Sequence, residues 1–284
     1  MNFNYKVGQC NITNKKGFRK KNFDYIWYNN SDDMKTALIQ AGIDWSDIRK
    51  NGERAEKAVR ENPGADLYIL PEMFSTGFNG ICEKDPAASL GLMKSIAEEN
   101  GCAIAGSIAV ELGDGAKVNR FYFVTPDRVE FYDKRHLFSY GGEHLNFTGG
   151  SERKVVTWKG VRFLLTVCYD LRFPVWSRNR GDYDIMLCVA SWPVQRRYAW
   201  DCLLKARAIE NQCFVAAVNR VGSDPSCNYD GGSVLLDPWG REIVSCPDGT
   251  ESVVCGEIKM ESLAEFRRTF PVLNDADRFE LRNC

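Results

Sequence analysis

The sequence is organised around Phe163-Leu-Leu-Thr-Val-Cys168-Tyr-Asp-Leu-Arg172-Phe-Pro174. The first five residues are apolar or β-branched, which is long enough for a buried strand, and Cys168 stands where that run stops. In open α/β sheets, ligands bind at the carboxyl ends of the strands, so a thiol in this place would face a binding crevice. A core cysteine is the alternative, because free cysteine is among the most buried residue types. The stretch therefore predicts a strand followed by either a nucleophile or a core residue.

The bulk composition is that of an ordinary globular protein. The chain has 284 residues, of which 44% are hydrophobic and 26% charged, and its net charge is −1. This length fits one large domain or two small ones. The balanced charge argues against a general surface for nucleic acid or anionic membranes, and no apolar run is long enough to span a bilayer. We therefore predict neither a nucleic-acid partner nor a membrane partner.

The eleven cysteines are scattered along the chain, and none forms a Cys-x-x-Cys pair. With only two histidines, the sequence offers no zinc-binding spacing. The N-terminus lacks the apolar region of a secretory signal peptide. We therefore expect a cytoplasmic protein with reduced thiols and no bound metal.

Residues 1–33 differ in composition from the rest of the chain. They are rich in Lys, Arg, Asn and Tyr, include the basic cluster Lys15–Lys21 and show no sustained periodicity. A nucleic-acid-binding arm is one interpretation of the basic cluster. We favour a disordered or dispensable extension, followed by one domain over residues 34–284 that ends in a C-terminal tail.

From Lys35 onward, strand and helix patterns alternate. The predicted strands are Thr36–Ile39, Asp66–Leu70, Cys102–Val110, Asn119–Thr125, Arg128–Asp133, Lys154–Trp158, Val161–Val167, Asp184–Ala190, Phe214–Asn219, Ser233–Leu236, Glu242–Val244 and Val253–Ile258. The predicted helices are Ile48–Glu61, Ala87–Glu99, Arg196–Gln212 and Glu261–Arg268. In the third helix, Asp201 and Lys205 have the spacing of an ion pair. The mixture of strands, helices and hairpins predicts an α/β or α+β domain with a mixed sheet.

Three chemically reactive residues share one position relative to the predicted strands. Glu72, Lys134 and Cys168 each lie within two residues of the end of an apolar or β-branched run. A free thiol has a pKa of about 8.5, so Glu72 would take its proton as the sulfur attacks a carbonyl or nitrile carbon. Lys134 would favour the thiolate and the oxyanion of the intermediate, with the backbone N–H of Tyr169 as a second donor.

A cysteine–histidine arrangement is the alternative catalytic interpretation. It would need His136 or His144 near Cys168, and neither histidine directly ends an apolar run. We therefore expect His136 to be a structural or loop residue and His144 to act, at most, through another residue.

The segments that carry these residues resemble the signature segments of the carbon–nitrogen hydrolase (nitrilase) superfamily. They are, in the same order along the chain, Leu70–Phe74, Tyr132–Phe138 and Val167–Pro174. Further segments resemble its omega-amidase branch: Ser75–Phe78, Gly142–His144, Phe147–Gly150, Ser191–Pro193, Ala206–Gln212 and Asn219–Gly222. The similarity runs from about residue 34 to about residue 279 and leaves residues 1–33 and the spare cysteines unexplained.

The resemblance implies an α/β fold of the nitrilase type, a four-layer α-β-β-α sandwich that is usually dimeric and uses no metal or organic cofactor. It implies Glu72, Lys134 and Cys168 as a catalytic triad, and Glu143 holds the place of a second glutamate that members often have beside the lysine. Members of the omega-amidase branch hydrolyse the terminal amide of 2-oxo dicarboxylic acid monoamides, such as 2-oxoglutaramate and 2-oxosuccinamate. We therefore expect a homodimeric amidase that acts on a small amide through a thioester and releases ammonia.

Such a substrate carries a carboxylate at its far end, so the pocket needs a cation. Arg172 is the candidate, because a guanidinium can bind a carboxylate through two hydrogen bonds. A salt bridge to Asp170 or a surface position is the alternative for this arginine. Trp192 is expected either to form a wall of the pocket or to pack in the core, and the Arg207/Glu210 pair to brace the site or a dimer contact.

Other functions compete with this one. A nitrilase or an N-carbamoyl amidase would use the same three residues on a different substrate, so only pocket groups such as Arg172 separate them. A catalytically silent interaction protein would keep the fold without turnover, which a complete triad argues against. A thiol redox protein would need a resolving thiol, and no cysteine lies near Cys168 along the sequence.

Overall fold

A computed structural model describes residues 33–45 and 47–281 of the chain. Apart from Asp33, the predicted extension over residues 1–33 therefore lies outside the described residues. None of the described helices combines the length and the apolar character needed to cross a membrane.

Every predicted strand and helix is present, with ends within two residues of the prediction. In chain order, the elements are β1 (Met34–Gln40), α1 (Ile48–Glu61), β2 (Leu67–Ile69), β3 (Glu83–Lys84), α2 (Ala88–Asn100), β4 (Ala103–Glu111), β5 (Lys117–Val124), β6 (Val129–Asp133), β7 (Val155–Trp158), β8 (Val161–Val167), α3 (Pro174–Ser177), β9 (Ile185–Ala190), α4 (Arg197–Asn211), β10 (Phe214–Asn219), β11 (Val221–Ser223), β12 (Asn228–Asp230), β13 (Val234–Leu236), β14 (Glu242–Ser245), β15 (Ser252–Ile258) and α5 (Met260–Thr269). The unpredicted strands β3, β11 and β12 have only two or three residues, which is too short for a periodic signal.

The strands form two large mixed sheets and one small hairpin. The first sheet has the order β15-β1-β2-β4-β5-β6, with β3 beside β4, and the second has the order β14-β13-β10-β9-β8-β7. The neighbours β1, β2 and β4 are parallel, and so are β8, β9 and β10. Because β4, β5 and β6 alternate in direction, β6 points the same way as β2. The carboxyl ends of β2 and β6 therefore lie at the same edge of the first sheet.

Three hydrophobic cores show how the layers stack. The central core joins the facing sides of both sheets, with Leu38 and Phe121 from the first and Phe163 from the second. A second core packs α1 and α2 on the outer side of the first sheet, and a third packs α4 on the outer side of the second. The strand pleat separates these cores, since Phe163 and Leu165 face the central core while Leu164 faces α4. The layers are α-β-β-α, as the resemblance implied.

One predicted ion pair on α4 is wrong. Asp201 pairs with Arg197, one turn towards the N-terminus, at 2.9 Å from Oδ1 to Nε, and not with Lys205. Asp248 also pairs with Arg197, at 2.9 Å. Asp230 pairs with it as well, at 3.4 Å, so two carboxylates from outside the helix hold this guanidinium in place, which the spacing along one helix could not reveal.

The segment after β6 folds closely against the end of that strand. The backbone N–H of Gly150 donates to the carbonyl of Lys134 at 2.9 Å. A Cβ atom on Gly150 would lie 2.2 Å from the carbonyl oxygen of Asp133, and one on Gly149 would lie 2.9 Å from that of Arg135. Only glycine allows this approach, which fixes the backbone on both sides of Lys134.

We expect Gly150→Ala to lower the free energy of unfolding by about 1–3 kcal/mol, because the added methyl group must push the two backbones apart. Gly113→Ala is a matched control: no atom lies within 4 Å of its added Cβ, and its cost should stay within about 0.5 kcal/mol. Urea unfolding of both variants measures the difference. Equal free energies of unfolding would contradict the close approach.

Candidate active site

Cys168 directly follows β8 and begins a 3-10 turn over Cys168–Arg172. Its backbone φ is +46°, which is a left-handed conformation that costs a residue with a side chain about 1–3 kcal/mol. Two contacts hold this turn: the Asp170 carboxylate accepts the N–H of Val167 at 2.9 Å, and the buried Arg207 guanidinium donates to the carbonyl of Leu171 at 2.6 Å. The surrounding contacts therefore fix Cys168 in a conformation that it would not adopt alone.

The Glu72 carboxylate lies just beyond β2 and is fully buried. Its Oε1 accepts from Lys134 Nζ at 2.9 Å and from Asn119 Nδ2 at 2.8 Å. Its Oε2 accepts from the backbone N–H of Ser191 at 2.8 Å. Because Ser191 directly follows β9, Glu72 connects the carboxyl ends of strands in both sheets.

The Lys134 ammonium lies between two buried carboxylates. Nζ is 2.9 Å from Oε1 of Glu72, and 3.0 Å and 2.9 Å from the two oxygens of Glu143. Glu143 also accepts the backbone N–H of Phe138 at 2.6 Å, so it is fixed by the segment that carries it. Glu143 thus contacts Lys134 in the way that the predicted accessory role requires.

Burial and mutual charges set the protonation of these groups. Burial raises the pKa of Glu72, and the Glu143 charge adds to this effect, while Lys134 opposes it. Burial alone would lower the pKa of Lys134, but Glu143 and Glu72 together raise it well above its ordinary value. The two carboxylates therefore favour the ammonium form of Lys134, and the Glu72 carboxylate has a raised affinity for a proton.

The Cys168 thiol lies within electrostatic reach of both groups. Burial and the Glu72 charge raise the pKa of this thiol well above its ordinary value, although Lys134 and a hydrogen bond from the Ser191 backbone lower it. The expectation that Lys134 favours the thiolate is correct in sign, but burial outweighs it. A base must therefore remove the thiol proton during reaction, and the Glu72 carboxylate, whose charge acts on this thiol, is the candidate.

Arg172 and Trp192 are in contact with each other. The guanidinium carbon of Arg172 lies 4.7 Å from the centre of the Trp192 ring. The Trp192 backbone N–H donates to Asn219 Oδ1 at 2.7 Å, and its ring packs against Trp200. Trp192 therefore packs in the core behind α4, as one interpretation predicted, and also presents a face to Arg172.

The alternative salt bridge between Arg172 and Asp170 does not form. The two oxygens of Asp170 are used by His136 Nδ1 at 2.7 Å and by the Tyr132 hydroxyl at 2.8 Å. The His136 ring also stacks on Phe173, with centroids 3.8 Å apart. His136 is therefore structural, as predicted.

Tyr169, the proposed second oxyanion donor, directly follows Cys168. The ring of Tyr169 packs edge-on against Phe138 at 5.1 Å, and its N–H belongs to the first turn of a helix, where intrahelical acceptors are missing. His144 is exposed. Arg207 and Glu210 form the predicted ion pair, at 2.8 Å. The Arg207 guanidinium thus braces the turn that carries Cys168.

Sequence reasoning missed two residues of the site. Asn119 donates through Nδ2 to Glu72 at 2.8 Å and to Glu143 at 3.4 Å, so it positions both carboxylates. The only signal was one amide inside the buried strand β5. Cys188 is the second, since it lies in β9 close enough to raise the pKa of Cys168, although it is remote in sequence. Burial raises the pKa of Cys188 itself to about 12, which makes it a poor resolving thiol.

The described residues include no group of three or more His, Cys, Asp or Glu side chains that could hold a metal ion. The polar side chains gathered here are instead a thiol, a pair of carboxylates, an ammonium and an amide. They are suited to proton transfer and to attack on a carbon centre.

Comparison with known proteins agrees with this chemistry. The carbon-nitrogen hydrolase family model matches residues 35–268. An omega-amidase, YafV of Escherichia coli strain K12, is 43% identical over 254 residues, which are 87% of this chain and 98% of that relative. A 2-oxoglutaramate amidase of Bacillus subtilis strain 168 is 35% identical over 250 residues, which are 84% of this chain and 96% of that relative.

A solved structure shows the same architecture. The crystal structure of XC1258 from Xanthomonas campestris, a CN-hydrolase superfamily protein with an arsenic adduct in its active site, superposes with a TM-score of 0.86 at 42% identity. The match covers 89% of this chain and 100% of that one. Together with the family match and the arrangement of the two sheets, this similarity shows that the chain belongs to the carbon–nitrogen hydrolase family.

Proposed function

We propose that this protein is an omega-amidase that hydrolyses the terminal amide of 2-oxo dicarboxylic acid monoamides, such as 2-oxoglutaramate, to the 2-oxo acid and ammonia. The observation that carries the proposal is the buried Glu72–Lys134–Glu143 cluster beside Cys168. The relatives that share up to 43% of its residues are named as omega-amidases, and one is named as a 2-oxoglutaramate amidase.

The first half of the reaction forms a thioester. Cys168 Sγ attacks the amide carbon while its proton passes to Glu72, whose raised pKa suits it to accept the proton. The amide oxygen becomes an oxyanion, which Lys134 Nζ and the backbone N–H of Tyr169 stabilise. Lys134 Nζ contacts one oxygen of Glu72 and both oxygens of Glu143, so the oxyanion shares an N–H with one of the Glu143 oxygens or displaces it. The carbon–nitrogen bond then breaks as Glu72 returns the proton to the leaving amine, and ammonia departs.

The second half reverses the proton movements. Glu72 takes a proton from a water molecule, and the hydroxide oxygen attacks the thioester carbon. The same two donors stabilise the second oxyanion. The carbon–sulfur bond breaks, the thiol recovers its proton from Glu72, and the 2-oxo acid leaves. No step needs an oxidant, a metal or an organic cofactor.

The far end of the substrate binds to Arg172 in this proposal. The guanidinium lies over the Trp192 ring and has no carboxylate partner among the described residues, so a substrate carboxylate would be its counter-ion. A nitrilase that acts on a neutral nitrile would share the triad but would not require this cation, whereas an N-carbamoyl amino acid also carries a carboxylate and is separated only by the substrate panel.

We also propose the surroundings in which the enzyme works. All nine cysteines in the described part of the chain are free, which fits a reducing compartment such as the cytoplasm. Residues 34–284 form the catalytic unit, and residues 1–33 are an extension that the reaction does not need.

An ammonia-release assay tests the function directly. The panel is 2-oxoglutaramate, 2-oxosuccinamate, glutamine, a simple nitrile and an N-carbamoyl amino acid. We expect the two 2-oxo amides to be preferred, and Cys168→Ala to lower kcat on them by roughly 10³-fold or more. The exposed Cys255 gives a matched control, Cys255→Ala, which should keep the parent rate. Unchanged turnover in Cys168→Ala would refute the mechanism, and a preferred nitrile or carbamoyl substrate would refute the substrate class.

The charges around Glu72 give the enzyme a predictable pH dependence. Glu72 must be ionised to act as a base, so kcat/KM falls as pH drops through its raised pKa, above the ordinary 4.5. Glu143→Gln removes one charge that raises this pKa, so the acid limb of the profile should move to lower pH. We also expect the plateau of kcat/KM to fall about 10- to 100-fold, since Lys134 loses a positioning contact.

Glu130→Gln is the matched control for this experiment, because Glu130 pairs with Lys154 at 2.6 Å outside the site. It should leave both the acid limb and the plateau unchanged. An acid limb that stays in place in Glu143→Gln, or moves to higher pH, is the result that contradicts the electrostatic account.

We propose a homodimer that pairs through the outer face of α4. Tyr198 and Ile209 lie three turns apart on this face and are 83% and 53% exposed. Light scattering after size-exclusion chromatography should give twice the chain mass for the parent and the mass of one chain for Ile209→Lys. Ile81→Lys, at a residue that is 46% exposed and not on α4, should remain dimeric. A monomeric parent protein would disprove the proposal.

A further inference from the structure

Two arginine guanidiniums near the site have no partner of opposite charge. Arg172 and Arg196 are half-buried, and neither guanidinium forms a salt bridge or a hydrogen bond within the described ranges, 33–45 and 47–281. By contrast, Arg120, Arg153 and Arg197 each pair with an aspartate. A half-buried cation without a counter-ion attracts an anion or another acceptor.

The first guanidinium is tied to the residues that hold Glu72. Arg172 lies 4.7 Å over the ring of Trp192. The residue before that ring, Ser191, donates its backbone N–H to Glu72 at 2.8 Å. Arg172 therefore contacts the residue next to Ser191, and Ser191 contacts the proposed general base.

The second guanidinium is tied to the residues that hold Glu143. Arg196 lies 5.0 Å over the ring of Phe138, whose backbone N–H donates to Glu143 at 2.6 Å. The Phe138 ring also packs at 5.1 Å against Tyr169, the residue after Cys168. Arg196 is therefore connected through Phe138 both to Glu143 and to the residue after Cys168.

One hydrogen bond joins the two sides. The indole N–H of Trp192 donates to the carbonyl oxygen of Arg196 at 2.8 Å. The Trp192 ring, which supports the Arg172 guanidinium, thus also fixes the backbone from which the Arg196 side chain extends. The two arginines are therefore connected through Trp192.

The chemistry of the proposed substrate requires two such groups. A 2-oxo dicarboxylic acid monoamide carries, at the end away from the amide, a carboxylate and an adjacent ketone oxygen. A carboxylate occupies one guanidinium through two parallel hydrogen bonds. The ketone oxygen therefore needs a separate donor. The corresponding 2-amino acid would instead place an ammonium beside a guanidinium, and two like charges repel each other.

We propose that Arg196 is a specificity-determining residue that donates to the 2-oxo oxygen while Arg172 binds the carboxylate. This assignment rests on the proposed omega-amidase function and deepens it. It explains in physical terms how the enzyme separates a 2-oxo amide from glutamine, which has the same length and the same terminal amide.

Three substrates of equal length isolate the role of Arg196: 2-oxoglutaramate, the monoamide of glutaric acid, which lacks the ketone, and glutamine. We expect Arg196→Gln to lower kcat/KM on 2-oxoglutaramate roughly 10- to 100-fold and on the glutaric acid monoamide less than about threefold. Glutamine should become a relatively better substrate. Arg172→Gln should instead lower kcat/KM on both 2-oxoglutaramate and the glutaric acid monoamide, because a carboxylate is the only charged group of each.

Two further variants keep the test decisive. Arg196→Lys retains the positive charge without the planar fork, so it should still reject glutamine while losing part of the preference for the ketone. Arg241→Gln is the matched control, because Arg241 lies 5.7 Å over the Trp239 ring on the exposed turn between β13 and β14. It should leave all three values of kcat/KM unchanged.

The outcomes separate this inference from the function on which it rests. Equal losses of kcat/KM on 2-oxoglutaramate and on the glutaric acid monoamide in Arg196→Gln would show a merely structural role and overturn the inference, with the omega-amidase function intact. A parent enzyme that ignores 2-oxoglutaramate but hydrolyses another amide through Cys168 would overturn the proposed function itself.

Discussion

The Lys134 ammonium between Glu72 and Glu143 is the constraint on which the rest of the site depends. All three side chains are buried, and a buried charge without a partner would cost several kcal/mol. One cation between two carboxylates leaves a net negative charge, which the amide of Asn119 and the N–H of Ser191 help to disperse. The cluster is therefore stable only when every contributing segment is in place.

This requirement explains several features of the fold around the site. Glu72 and Lys134 follow β2 and β6, whose carboxyl ends lie at one edge of the first sheet, while Ser191 comes from the second sheet. Glu143 lies in the segment between β6 and β7. This segment reaches the cluster because Gly150 lets its backbone approach the end of β6 closely. The central core between the sheets holds these segments in register. The precision of the site thus comes from rigid strands and from one loop packed against them.

The same burial shapes the reactivity of Cys168. The thiol is in a strained left-handed conformation and has a pKa raised by burial and by the Glu72 charge. A neutral thiol is a weak nucleophile at rest and also a poor target for oxidation, because the thiolate is the reactive form. Cys188 lies near it but has a raised pKa as well, so the pair does not resemble a redox centre. The arrangement suits a nucleophile that a neighbouring base activates only during reaction.

The sequence by itself determined the secondary structure and the chemical types of the site. Apolar runs placed the strands within two residues, and Glu72, Lys134 and Cys168 could be picked out because each lies close to the end of such a run. Asn119 and Cys188 gave no comparable signal, since an amide or a thiol inside a buried strand is usually a packing residue. Only the tertiary structure decided which donor each oxygen accepts from. It showed that Asp170 pairs with His136 and not with Arg172. It also showed that burial outweighs the Lys134 charge in setting the pKa of Cys168. The reason is that hydrogen bonds and desolvation depend on distances of a few ångströms between segments that lie far apart along the chain.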